Sequence, residues 1–398
     1  MKIDLQNNHH THLSYCLNIH RGESWHENVE AIREHTTEVR QRIAPNQPFG
    51  LGMRISHTAA DTLHGNKELR DAFKSYMADE QLYAFTINGF PYGQFHATRV
   101  KENVYAPDWR SDERRDYTNQ LTDILADFLA PGTTGSISTV PCSFKPWIKT
   151  EEDLDLLVQR ICDSALHMHK TEDQSGTYIH LGLEPEPCCY LETTDEFLTF
   201  FKDQLLLKGT RYLAGQVAKP EELLRRHVGI NFDCCHIAIQ FEDLTASLQR
   251  LISEGVLLSK VHISAALTAR PDQLAALEPF DEPVYFHQVK AKRGNDVLSW
   301  DDLGPALKDL PHHSGIDELR CHFHVPLFWE GSDRLGTTAA AMTPEFFALL
   351  NQGVCEHLEI ETYTFDVLPP ELQQRNVVDS IAPEFEWVLD RLGKKDFR

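Results

Sequence analysis

Residues 178–187 read YIHLGLEPEP, residues 228–236 VGINFDCCH, residues 257–264 LLSKVHIS and residues 357–364 HLEIETYT. Each is a short apolar, β-prone run that ends in, or carries, an ionisable side chain: Glu184, Asp233, His262 and Glu361. Runs of the same kind recur upstream at Thr11–Ile19, Gly50–Ser56, Tyr83–Asn88 and Gly135–Pro141. Segments of helical period lie between and after them, at Asn66–Ala78, Arg114–Leu129, Thr194–Leu206, Glu242–Glu254 and Pro370–Leu392. Ser24-Trp25-His26-Glu27 and Thr150-Glu151-Glu152-Asp153 have the pattern of capping boxes ahead of a periodic run. Alternation of this kind predicts parallel βαβ units, and eight of them close a (β/α)8 TIM barrel.

Two stretches break the spacing. The first, Gly89–Trp109, follows the third strand on the face where barrels bind substrates. Its Phe90, Tyr92 and Trp109 suit a lid that excludes water, or else pack the loop onto the barrel. The second, about 269–354, separates the seventh and eighth strands and carries β-like runs at Val284–Lys290 and Leu319–Phe328. It reads as an insertion, although one of those runs has the character of a barrel strand itself. No solenoid repeat or low-complexity linker interrupts the chain, so residues 1–398 are read as one TIM-barrel domain bearing that insertion.

The 398 residues carry a formal charge of −22, spread along the chain rather than gathered in a tail. Nucleic acid and anionic membranes are poor partners for such a surface, because their phosphates are repelled. No apolar run reaches the length that spans a bilayer, and the first residues lack the pattern of a signal peptide. Nine cysteines, with adjacent pairs at Cys188-Cys189 and Cys234-Cys235, suggest neither a disulfide framework nor a zinc finger. Reduced thiols in the cytoplasm and a small-molecule partner are the expectation.

A carboxylate at one strand end is commonly a cap or a solvated loop residue. Four ionisable groups at successive strand ends of a barrel converge on one mouth. Glu184, Asp233, His262 and Glu361 supply three oxygen donors and one imidazole, which suit Mn²⁺, Mg²⁺ or Zn²⁺. Without a cation the three carboxylates would repel one another. In Arg320-Cys-His-Phe-His-Val-Pro326, His322 and His324 share one face of a strand. They are candidates for a second metal or a substrate anion, or else form a hydrogen-bonded polar stripe. His57 ends the second strand and His96 lies in the aromatic loop, so both are candidates for the mouth; the cluster His9, His10, His12 and His20 is a weaker signal. Lys290, Lys292 and Arg293 form a basic group that is either a substrate-anion site or a solvated face.

The series Glu184, Asp233-x-x-His236, His262 and Glu361 resembles the xylose-isomerase-like TIM-barrel superfamily, which includes sugar isomerases, ketose 3-epimerases and phosphodiesterases of the endonuclease IV type. NGFPYGQFH, VYAPDWRSDERRDYT, GSISTVP, NFDCCH and CHFHVPLFWEG resemble a poorly characterised branch of it, the bacterial metabolite traffic protein EboE family. The resemblance implies that Glu184, Asp233, His262 and Glu361 bind the metal, that the two glutamates exchange protons with a substrate, and that His236 touches its oxygens. It points to metal-assisted isomerisation or epimerisation of a small sugar-like hydroxycarbonyl metabolite, in processing or export. The rival readings are a phosphoesterase with two or three metals and a non-catalytic metabolite-binding protein.

Overall fold

The computed structural model describes residues 1–93, 101–362 and 376–394. All eight runs form strands: β1 His10–Tyr15, β2 Phe49–Arg54, β3 Leu82–Asn88, β4 Gly135–Thr139, β5 Ile179–Leu183, β6 Val228–Asp233, β7 Leu258–Ile263 and β8 His357–Ile360. They pair in parallel in the order β1-β8-β7-β6-β5-β4-β3-β2, and Lys2–Asp4 lies antiparallel along the first half of β1. The ring closes where Cys16 bridges Gly52 in parallel. Next to that bridge the Ser14 hydroxyl donates to the Gly50 carbonyl at 2.7 Å and accepts the Gly52 N–H at 2.9 Å. A side chain thus replaces ladder bonds at the seam. Only glycine fits there, because a Cβ on Gly52 would stand 1.9 Å from Glu359 Oε1 and 2.7 Å from the Tyr15 carbonyl oxygen. The chain is a (β/α)8 barrel.

Every position of β2, β4, β5, β6, β7 and β8 is buried, as expected when helices cover the outside and side chains fill the inside. The two sequence-level capping boxes are both present, at Ser24–Glu27 and Thr150–Asp153. The second opens the helix Glu151–Ser175, which stops at Gly176 in the left-handed region, φ 73°. Its buried stripe, Leu154, Leu157, Val158, Ile161 and Ala165, follows the helical period and faces the barrel side.

Near the start of the strands, His12, His180 and His357 are buried together. His180 and His357 stack with centroids 5.4 Å apart, and His12 stacks on Phe85 at 5.2 Å. Burial pushes His12 and His180 down to about 3 and His357 well below the ordinary imidazole value.

After β7 the chain builds a second, antiparallel sheet of five strands. Their order is Asp296–Trp300, Val289–Arg293, Glu318–His324, Ala266–Ala269 and Leu335–Thr337. The expected runs Val284–Lys290 and Leu319–Phe328 contribute to this sheet and not to the barrel. No helix among the described residues is long and apolar enough to cross a membrane. The nine cysteines stand as free thiols.

Candidate metal centre

The site is built on strand alternation. Side chains two apart face the same way, so β6 turns Asn231 and Asp233 inward, β7 Lys260 and His262, and β8 Glu359 and then Glu361 just beyond its end. Glu184 follows β5. The four expected donors meet: one ligand atom from each of Glu184, Asp233, His262 and Glu361 lies within 4.8 Å of the others, all four buried. His262 Nδ1 is the hub, 3.0 Å from Glu184 Oε1, 3.3 Å from Asp233 Oδ2 and 3.0 Å from Glu361 Oε2.

The other ring nitrogen of His262 sets the tautomer. Nε2 lies 3.0 Å from Glu359 Oε2, and that oxygen also accepts from Lys260 Nζ at 2.7 Å. Burial opposes ionisation of Glu359, but Lys260 and His262 outweigh it and bring the carboxyl to about 2. Glu359 is therefore an anion that accepts a hydrogen bond from the Nε2–H, which leaves Nδ1 facing three carboxylates. Burial also opposes charge on His262; Glu361 and Glu184 overcome it and hold its pKa well above the ordinary value. An imidazole whose outer N–H is held by a carboxylate while its inner nitrogen faces the donor cluster is a standard arrangement for a metal ligand.

Asp233 Oδ1 is taken, accepting the His236 N–H at 2.9 Å as a helix cap and the Ser264 hydroxyl at 2.8 Å. Glu361 Oε1 accepts from Asn18 and Asn88 amides, each at 3.4 Å. Glu184 Oε2 and Asp233 Oδ2 remain buried without an aligned hydrogen-bond partner. Such atoms are costly in a dry site. Three carboxylates around one imidazole, two of them with an orphaned oxygen, fit a divalent cation.

A second group lies beside the first. His236 Nδ1 stands 3.0 Å from the Pro185 carbonyl, and His324 Nδ1 2.8 Å from the Glu361 carbonyl. A carbonyl only accepts, so both Nδ1 atoms carry the proton. His322 Nδ1 faces Gln288 Oε1 at 2.6 Å, while the same amide's Nε2 gives to the Tyr105 hydroxyl and the Pro187 carbonyl. All three Nε2 atoms are therefore lone-pair nitrogens in the neutral rings. They face one another, at 3.1 Å for His236–His322 and 3.3 Å for His322–His324. Burial, then His236 and His324, push His322 well below the ordinary value. Ligand atoms of Asp233, His236 and His324 also lie within 4.8 Å of one another.

Both groups border a cavity whose lining includes Glu184, Glu186, Glu361, His236, His322, Asn18 and Asn88. The remaining wall is Phe90, Pro91, Lys101, Val104, Tyr105, Tyr285 and Phe286. Burial raises the Glu186 carboxyl to about 8, and the Tyr105 hydroxyl donates to it at 3.3 Å.

Other candidates lie elsewhere. Trp109 is fully buried core, and Tyr92 stacks on His57 at 4.3 Å and sits edge-on to Tyr117, so of the three aromatic lid candidates only Phe90 lines the cavity. The stretch is rich in apolar surface, and most of it is spent on packing. His57 is tied to Tyr92, with Nδ1 3.2 Å from its carbonyl, and lies outside the cavity lining. His96 falls outside the described residues. Lys290 pairs with Glu192 at 2.7 Å and Arg293 with Asp296 at 3.7 Å, and neither reaches the cavity; the lysine that does is Lys101, paired with Asp302 at 2.6 Å. Glu359, Lys260, Asn18, Asn88, Glu186 and Tyr105 were not singled out from sequence. For Glu359 and Lys260 the signal was available, because each precedes one of the four expected donors by two positions.

No family model matches the chain, and no curated protein sequence matches it. Solved structures do. A probable 3-DHS dehydratase AsbF, involved in petrobactin synthesis in Bacillus anthracis, aligns over 94% of this chain and 98% of its own at 15% identity, TM-score 0.46. The IOLI protein with a bound zinc atom aligns over 97% and 99% at 12% identity, TM-score 0.49. An AP endonuclease of family 2 from Brucella melitensis aligns over 63% and 78% at 13% identity, TM-score 0.41. At these identities and scores they are distant likenesses, and the barrel assignment stands on the strand order of the chain itself.

Proposed function

We propose that the chain is a metal-dependent enzyme of the xylose-isomerase-like type, akin to the EboE branch, that isomerises or epimerises a small hydroxycarbonyl metabolite. The observation that carries the reading is the convergence of Glu184, Asp233 and Glu361 on His262 Nδ1, beside a cavity that Glu184 and Glu361 line. These four residues would hold the ion, which supplies Lewis-acid polarisation of a substrate oxygen. Glu184 and Glu361 line the cavity and serve as base and acid for the carbon-bound proton. His236, its ring fixed by Pro185, presents Nε2 to substrate oxygens. Glu359 holds His262 in the tautomer that leaves Nδ1 available. Burial of Glu184, Glu361 and His236 keeps water from competing for the proton. The net charge of −22 supports a small metabolite as partner, not nucleic acid.

The test is exchange. Incubated in D2O with Mn²⁺, Mg²⁺ or Zn²⁺ and a panel of ketoses and other hydroxycarbonyl compounds, the chain should place deuterium on the carbon next to the carbonyl. Glu184→Gln and Glu361→Gln should each lower the rate by about 10² or more. Full exchange by both variants would remove the assignment.

One observation favours a second reading, phosphoester hydrolysis with two cations. The three Nε2 atoms of His236, His322 and His324 form a second donor set beside the first, and paired ions suit an in-line displacement at phosphorus. Release of p-nitrophenol from its phosphate esters, without deuterium exchange into any hydroxycarbonyl compound, would decide for it.

A further inference from the structure

Resting on the metal-dependent reading above, we infer that the substrate is amphipathic, a chelating head of adjacent oxygens joined to a flat apolar body, and not a bare polyol. The cavity lining is of two kinds. Part of it is polar: Glu184, Glu186, Glu361, His236 and His322, with the amides of Asn18 and Asn88. The rest, Lys101 apart, is Phe90, Pro91, Val104, Tyr105, Tyr285 and Phe286.

This apolar wall is assembled from separate parts of the chain and is held in place. Tyr105 is fully buried and stacks on Phe144 at 5.2 Å with the rings 4° from parallel. Phe90 is 6% exposed and lies 6.3 Å from Tyr105. Tyr285, which belongs to the insertion, packs against Val104. The polar atoms within this wall are committed: the Tyr105 hydroxyl gives to Glu186 and receives from Gln288, and Lys101 is paired with Asp302. A sugar carrying a hydroxyl on every carbon would lose its water there and find few partners, which disfavours binding. A planar apolar group would instead bury its faces against fixed aromatic rings.

Two hydroxamates isolate the question, because both chelate a divalent ion through the same carbonyl and N–OH oxygens and differ only in a phenyl or a methyl group. Calorimetric titration of the Zn²⁺-loaded protein should show benzohydroxamate binding at least about tenfold more tightly than acetohydroxamate, after correction for their affinities for free Zn²⁺. Phe90→Ala and Tyr285→Ala should each cut that ratio at least about threefold; being a ratio, it cancels any loss of folded protein. Equal corrected affinities in the Zn²⁺-loaded protein would overturn the inference alone. Failure of both compounds to bind, or equal binding after zinc removal, would overturn the metal-site reading and this inference with it.

Discussion

The Nε2 atoms of His236 and His322 lie 3.1 Å apart, and the other nitrogen of each ring is already committed, to the Pro185 carbonyl and to Gln288. His324 brings a third Nε2 to within 3.3 Å of the second. Lone pairs at such distances repel in a dry interior unless a proton or a cation lies among them. Burial opposes charge on His236, and Asp233 and Glu186 outweigh it and raise its pKa, so a shared proton is one remedy and a metal ion the other.

Counting ions distinguishes the two. Protein purified without chelator and measured by mass spectrometry should carry about two divalent ions per chain under the cation remedy, and His322→Ala with His324→Ala should leave about one. A count of one in the parent, unchanged in the double variant, would assign the trio to proton sharing and the hydrolytic reading would fall. Chelation should also lower the unfolding midpoint by on the order of 5 °C, if the first ion is bound at about a hundred times its Kd.

Glu359 is the residue on which the first centre is oriented. Its replacement by Gln leaves the fully buried Lys260 ammonium without its anion, which costs about 3–5 kcal/mol. It also weakens the hold on His262 Nε2, and metal affinity should fall about 10- to 100-fold. Competition with a chromogenic chelator measures the second effect and urea unfolding the first. An unchanged metal affinity would show that His262 does not need its outer partner.

The three histidines at the barrel floor predict acid lability. A histidine whose folded pKa lies below its unfolded value of about 6.5 takes up a proton only on unfolding, so acid favours the unfolded chain. The stabilisation is complete above about pH 7 and is lost as pH falls below about 6.5 towards the folded values near 3 of His12 and His180. Each such group contributes a slope of up to about 1.4 kcal/mol per pH unit. Between pH 7 and 5, His180→Gln should lose measurably less stability than the parent in urea titrations. Parallel pH profiles would refute the assignment.

Glu384 predicts the opposite trend. Burial raises its carboxyl to about 8, against the smaller effect of accepting from the Thr362 hydroxyl at 2.7 Å and the Leu327 N–H at 3.1 Å. A carboxyl raised in this way gains its proton on folding, so its contribution is complete below about pH 4.3 and is lost as pH rises through 8. An amide in its place would be uncharged throughout and would keep an oxygen for both donors. Glu384→Gln should therefore match the parent near pH 5 and exceed it in stability at pH 8.5. Lower stability at both pH values would mean that the acid proton itself has a partner the amide cannot replace.

Much of this was legible in the chain. Eight apolar runs at near-regular spacing become the eight barrel strands, because a parallel strand buried on both faces needs an apolar run and little else. The convergence of Glu184, Asp233, His262 and Glu361 was legible for a related reason: ionisable residues at successive strand ends of a barrel gather at its mouth. The lid residues were less so. Phe90, Tyr92 and Trp109 are alike in composition, yet one lines the cavity, one stacks on His57 and one is core. Periodicity is silent in a loop, so side-chain direction there is decided by what the loop packs on.

Local pattern determined the strands, the capped helix starts and the inward face of each barrel strand, since those follow from a period of two or 3.6 and from backbone hydrogen bonds near in sequence. Only the tertiary structure decided which inward groups oppose one another. Lys260 meets Glu359 across 99 residues, and His236 meets His322 across 86, through an insertion whose sheet lies over the barrel mouth. Charge pairing, lone-pair crowding and the apolar wall of the cavity are properties of distances between remote segments, and no period along the chain encodes them.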